Sequence, residues 1–220
     1  MTDWHVRAIC FDLDGTLLDS VYDLAAALNK VLAERDFPTH PVEAYKQFVG
    51  DGVRLLVERA LPAQARDDVT VDQTLHAYRA AYAKAWNVHS RLYPEIDTLL
   101  SLLVQQQIKL AICSNKPHPY TVGCVNHYFQ AWPFAVVLGQ QEHLPRKPDP
   151  APALQILAQL DCPPSQCLFV GDSGVDMATG RAAGMRSIGV SWGYRDRDEL
   201  WAHGAQHLID QPLELLNHLS

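Results

Sequence analysis

Asp12 and Asp14 stand one residue apart at the end of an apolar run, Val6 to Phe11, and Gly15 and Thr16 follow at once. In extended backbone, positions i and i+2 point to the same side, so both carboxyls can address one ligand. Carboxylates this close repel each other and need a cation or a shared proton near neutral pH. A hard cation such as Mg2+ prefers carboxylate oxygen. The combination suits metal-assisted phosphoryl chemistry, in which one carboxylate attacks, the other handles a proton and the ion neutralises the phosphate. Asp-x-Asp-Gly is also ordinary turn chemistry, so this pair alone decides nothing.

Three further polar groups follow apolar runs in order: Ser114-Asn115, Lys147-Pro148, and Gly171-Asp172-Ser173-Gly174-Val175-Asp176. A hydroxyl and backbone N–H groups at a strand end suit a phosphoryl oxygen. The ammonium of Lys147 can offset charge on Asp12 and on a phosphate. Arg146 and Lys116 compete for that task and read as solvated surface charges. Gly-Asp-Ser before a helix is also normal N-terminal capping chemistry, the plain alternative for Asp172 and Asp176.

Together these elements resemble the haloacid dehalogenase superfamily of phosphatases, which carries DxDGT, then Ser/Thr, then Lys, then GDxxxD in this order. The resemblance spans nearly the whole chain. It implies that Asp12 is a nucleophile forming an aspartyl-phosphate and that Asp14 gives and retakes a proton. It implies Mg2+ held by the Asp12 and Asp172 side chains and the Asp14 backbone carbonyl, with Asp176 supporting the site from behind. Ser114 and Lys147 then belong to the catalytic set, while Thr16 and Asn115 meet the substrate. Dehalogenases as a group lack an acid at the position of Asp14, so its presence favours phosphatase or phosphomutase chemistry.

The segment Gly50-Asp51-Gly52-Val53-Arg54 is similar to the cap loop of phosphoglycolate phosphatases, although an Asp between the glycines varies there. Gly52 permits close backbone approach, and Arg54 can pair with a substrate carboxylate. A plain helix-start turn is the alternative. His118 reads as an exposed loop residue, and Trp192-Gly193-Tyr194 as a surface loop without an assigned role.

These residues need a scaffold. Apolar runs at 6–11, 109–113, 134–138, 167–170 and 187–190 read as strands, with a last short one at 207–209. Helical spacing recurs between them, from Pro94, from Pro150 or Ala151, over Asp176–Ala183 and over Pro212–Leu219. Alternating strand and helix predicts an α/β fold with a parallel sheet. Residues 21–90 are helical throughout, with breaks at Phe37-Pro38, Gly50-Asp51-Gly52 and Pro62. The expected architecture is a Rossmann-like doubly wound core, 1–20 plus 91–220, with an inserted all-helical cap at 21–90, of the C1 type by resemblance.

At 220 residues with 48% apolar and 20% charged content, the chain has ordinary globular composition. A formal net charge of −7 speaks against general nucleic-acid binding. Five cysteines without a CxxC pair argue against a disulfide framework or a zinc site. The amino end, Met1-Thr2-Asp3-Trp4-His5, has no signal-peptide pattern, and no apolar run reaches the length of a membrane span. The expectation is a cytoplasmic monomer or homodimer acting on a small phosphorylated metabolite, phosphoglycolate first, without nucleic-acid or membrane partners. Alternatives are a sugar phosphomutase of the β-phosphoglucomutase type, a pyrophosphatase, a nucleotidase, or a catalytically silent binding protein on this fold.

Overall fold

A computed structural model describes residues 5–220; the amino-end reading on residues 1–4 lies outside them. The chain divides into two compact units, residues 1–18 with 92–220, and residues 19–91.

The first unit is built on six strands, β1 (Ala8–Phe11), β4 (Lys109–Pro117), β5 (Phe134–Gln140), β6 (Cys167–Gly171), β7 (Arg186–Val190) and β8 (His207–Ile209). Their order is β5-β4-β1-β6-β7-β8, and every neighbouring pair is parallel. Helices α5 (Ile96–Gln105), α6 (His118–Tyr128), α7 (Ala151–Leu160), α8 (Gly174–Ala182) and α9 (Arg197–Ala202) flank the sheet. This is the expected Rossmann-like parallel fold. The central strands read as continuous apolar runs because both their faces are covered. Ala8 to Phe11 and Cys167 to Val170 are all 0–1% exposed.

Register does the positioning. Phe11 lies opposite Ile112 on one side and Val170 on the other. The ladder continues one step further, with the Asp12 N–H donating to Val170 O at 2.9 Å. Asp12 and Asp172 therefore follow the carboxyl ends of adjacent parallel strands, where ligands of such folds bind, and Ser114 lies in the last part of β4.

The second unit contains α1 (Val21–Glu34), α2 (Val42–Phe48), α3 (Val53–Ala60) and α4 (Asp68–Ala85). Leu24, Leu28, Val31 and Leu32 of α1 are buried at helical spacing. Asp23 is buried with them at 1% exposure. Its carboxylate accepts from the His89 N–H, the Ser90 N–H and the Ser90 hydroxyl at 2.7–3.0 Å, which ties the end of the unit to its beginning. The short strands β2 (Leu18–Asp19) and β3 (Arg91–Leu92) pair in a two-stranded sheet.

The structure adds elements that the sequence pattern did not signal: α6, α9 and the β2–β3 pair. β4 also runs on through Ser114, Asn115 and Lys116 instead of stopping at Cys113, and the segment 212–218 is a 3-10 helix. Among the described residues, no helix is long and apolar enough to cross a membrane. All five cysteines are buried free thiols.

Candidate active site

Lys147 sits at the centre of the polar edge of the sheet. Its ammonium donates to Asp12 Oδ1 at 2.8 Å, Asp176 Oδ1 at 2.7 Å and the Cys113 carbonyl at 2.8 Å. An ammonium has three protons, and all three are used. Burial alone would strip its charge; the Asp12 and Asp176 carboxylates outweigh that and hold it protonated well above the usual lysine range. Asn115 fixes the backbone from which Lys147 reaches. Its side-chain oxygen accepts from the Lys147 N–H and its amide donates to the Lys147 carbonyl, both at 3.0 Å. Asn115, expected to meet the substrate, thus clamps the backbone of Lys147. Its amide meets one backbone donor and one backbone acceptor of the same residue.

Asp176 has two tasks at once. Oδ1 meets Lys147, while Oδ2 accepts from the Ser173 N–H at 3.1 Å and hydroxyl at 2.6 Å, closing the capping box at the start of α8. One side chain thus caps α8 and bonds Lys147.

Asp172 lies against Gly15. Its Oδ2 accepts from the Tyr194 N–H at 2.7 Å, and Oδ1 accepts from the Thr16 hydroxyl at 3.4 Å. Gly15 has φ +92°, and a Cβ there would overlap the Asp172 carboxylate. The glycine after Asp14 is thus required twice, for its backbone conformation and for the close approach.

Asp12, Asp172 and Asp176 are all buried, and each offers an oxygen within 4.8 Å of the others. Burial pushes the Asp12 carboxyl up; Lys147 pulls it down and Asp176 pushes it up again, leaving it at about 6. Burial drives Asp172 well above the carboxylate range, and the Asp176 and Asp12 charges add to this. Lys147 bonds only two of the three acids, and the raised Asp12 and Asp172 carboxyls reflect the cost of holding three negative charges in a dry site, a cost that a further cation would offset. A set of closely spaced hard oxygen donors fits a divalent ion. Asp176 engages both oxygens with Lys147 and Ser173 at 2.6–3.1 Å, whereas Asp172 Oδ1 has only the long 3.4 Å contact from Thr16 and Asp12 meets Lys147 through Oδ1, so Asp12 and Asp172 are the side chains that could hold it.

Asp14 stands apart from this group. Both its oxygens lie 3.0 Å from Lys116 Nζ. This corrects the reading of Lys116 as a solvated surface charge: its side chain is 4% exposed. Arg146 is exposed, as read from the sequence. Ser114 is buried, and its hydroxyl accepts from the Lys116 N–H at 3.2 Å. His118 is half-buried at the start of α6, and its Nδ1 accepts from the Gly139 N–H at 3.2 Å, so it is not the exposed loop histidine that was expected.

Residues 9–190 match the sequence model of the haloacid dehalogenase-like hydrolase family. The chain belongs to that family. Among similar proteins, a phosphoglycolate phosphatase of Rhodospirillum rubrum is 37% identical over 93% of this chain and 87% of its own length. Another, from Psychrobacter arcticus, is 35% identical over 97% of this chain and 95% of its own. A crystal structure from Lactobacillus delbrueckii subsp. bulgaricus, provisionally named a phosphoglycolate phosphatase, superposes with a TM-score of 0.91 at 29% identity, covering 98% of each chain. The hydrolase is an enzyme of the phosphatase kind.

Two further parts of the hydrolase site escaped the sequence reading. Trp192 Nε1 donates to the Thr16 carbonyl at 3.0 Å, and the Tyr194 N–H bonds Asp172, so the loop after β7 forms a wall of the site. A Cβ at Gly193 would overlap both Asp172 and the Gly15 carbonyl. The signal was its place at the carboxyl end of a parallel strand. Gly193→Ala is expected to displace Asp172 and lower turnover of an aryl phosphate about 100-fold, the usual penalty for a misplacement of an ångström. A wild-type rate in that variant, measured alongside its melting temperature, would show that the loop yields without disturbing Asp172.

Gly52 and Arg54 lie in the helical unit. Gly52 caps the start of α3. The Arg54 guanidinium bonds Asp72 and, at 2.6 Å, Asp68, both on α4. Its charge is thus engaged within the unit, where the sequence suggested a group awaiting a substrate carboxylate.

Proposed function

We propose that this hydrolase is a Mg2+-dependent phosphatase that cleaves a small phosphate monoester through an aspartyl-phosphate on Asp12, with phosphoglycolate the leading substrate. The observation that carries the reading is the buried Asp12 carboxylate at a strand end. Its Oδ1 is tethered by Lys147, and its neighbours Asp172 and Asp176 leave a charge that a divalent ion balances.

In this reading Lys147 orients one oxygen of Asp12, so the other presents a lone pair to phosphorus. Asp14 gives the leaving oxygen its proton and retakes one from the water that hydrolyses the intermediate. The Ser114 hydroxyl and the backbone N–H groups at the end of β4 face the phosphoryl oxygens. When bound, Mg2+ held by Asp12, Asp172 and the Asp14 carbonyl supplies charge neutralisation for the phosphoryl group. Asp176 keeps Lys147 in place. Residues 21–90 serve as the cap that selects substrate. Arg54 would meet a substrate carboxylate only by exchanging its partners Asp68 and Asp72. The protein works in the cytoplasm, as monomer or homodimer.

The phosphoglycolate preference is supported by the names of the relatives, which align over nearly all of this chain. Phosphate release from a panel of esters tests it: phosphoglycolate, hexose phosphates, nucleoside monophosphates and pyrophosphate, each with and without Mg2+. One dominant, Mg2+-dependent release from phosphoglycolate is expected. Dominant release from another ester would replace the substrate. Isomerised hexose phosphate without free phosphate would replace the reaction with a mutase.

A further inference from the structure

We propose that Lys116 is a positioning residue that holds the Asp14 carboxylate apart from the Asp12–Asp172–Asp176 group and aims it at the leaving-group oxygen. The inference rests on the proton-transfer role read for Asp14 above.

The two buried lysines of the site bond different acids. Lys147 reaches Asp12 and Asp176, while Lys116 reaches Asp14 with its ammonium astride both oxygens at 3.0 Å. The backbone at Asp14 is set by the turn, with the Gly15 N–H donating to Leu18 O at 2.9 Å, so what remains to be fixed is the rotation of the Asp14 side chain. A divalent ion among the other three acids would attract a fourth carboxylate. An ammonium across both oxygens fixes the rotation and the place of Asp14 against that pull. The pair is largely shut off from water, at 4% and 10% side-chain exposure, which makes the attraction far stronger than at a surface.

Lys116 is itself held firmly. Its N–H donates to the Ser114 hydroxyl at 3.2 Å and its carbonyl accepts from the Thr121 hydroxyl at 3.1 Å. Gly139 of β5 lies so close to that carbonyl that a Cβ there would crowd it. Strand β4, strand β5 and helix α6 thus converge on the backbone of one lysine. A surface lysine would need no such fixture.

The Asp12 oxygen forms a bond to phosphorus as the ester P–O bond breaks, and its electron pair goes to the leaving oxygen, which takes a proton from Asp14. Water then attacks phosphorus, gives a proton to Asp14, and the P–O bond to Asp12 breaks with its pair returning to Asp12. Only one Asp14 oxygen carries the proton, so Lys116 keeps its hold through the other.

The test compares two leaving groups in the Mg2+-loaded protein. An alkoxide needs a proton as it departs; a nitrophenolate does not. The rate of the first turnover at saturating substrate is measured for phosphoglycolate and for 4-nitrophenyl phosphate. Lys116→Met is expected to slow alcohol release from phosphoglycolate about 100-fold and nitrophenolate release less than about 5-fold. Asp14→Asn should show the same contrast, and Lys116→Arg should restore part of the loss. Equal losses on both esters, or a rise in KM alone, would overturn the positioning role. If Asp14→Asn shows no contrast, the role of Asp14 fails and the proposal with it; if Asp14→Asn shows it and Lys116→Met does not, only the proposal fails. If phosphoglycolate is not turned over, the substrate reading fails, and the comparison runs on the best alkyl phosphate of the panel. Should Lys116→Met lose its thermal transition, Lys116→Gln carries the same comparison.

Discussion

Asp12→Asn is expected to abolish phosphate release, by about 10,000-fold or more, while leaving the metal-free protein at least as stable as the wild type above pH 6. The amide keeps an oxygen for the Lys147 bond, which wild-type Asp12 makes at 2.8 Å, but it has lost the nucleophile. The stability half follows from burial. Burial, only partly offset by Lys147 and reinforced by the neighbouring acids, lifts the Asp12 carboxyl from 3.8 to about 6. A raised acid binds more protons folded than unfolded, so its penalty is absent below the unfolded value and grows as pH rises to about 6. Ionising it there costs the metal-free fold up to about 3 kcal/mol, a cost that asparagine does not carry. Melting curves at pH 5 and pH 8 in the presence of a chelator check the sign: the variant should gain on the wild type at the higher pH. Retained phosphatase activity would remove Asp12 from the nucleophile role.

The same residues show why so much of this molecule could be read in advance. Asp12, Ser114 and Asp172 each follow an apolar run, and a parallel sheet brings such positions to one edge whatever joins the strands. Pattern and register therefore carry the polar edge of the sheet almost by themselves. What stayed hidden depends on contacts between distant segments. Lys116 looked like a surface charge because nothing local says that β4 continues through it, or that Asp14, 102 positions away, is its partner. The clamp of Asn115 on Lys147 stayed hidden because it spans 32 positions. Helix α6 was missed for a local reason: it opens on His118-Pro119 and buries only Thr121, Cys124 and Val125, too few apolar positions for a clear helical period. Gly193 carried a signal of place but none of chemistry, since its contribution is the absence of a side chain against Asp172.

Lys147→Met should cost both function and fold. The lysine is 5% exposed and bonds two buried carboxylates and a carbonyl. Breaking a buried ion pair from one side leaves charge without compensation, which costs about 3–5 kcal/mol. For a chain of this size that corresponds to roughly 10 °C in melting temperature. The loss should depend on pH with a definite sign. Lys147 is the group that pulls Asp12 down, so its removal sends Asp12 above its present value of about 6. The variant regains stability as pH falls and Asp12 takes up a proton, and the gap to the wild type is widest near pH 8. Adding Asp176→Asn removes one of the stranded charges and should recover part of the melting temperature but none of the activity. That separation distinguishes the two tasks of the ammonium. If the double variant regained turnover, Lys147 would be needed only to neutralise Asp176, and the orientation of Asp12 would have to come from elsewhere in the site.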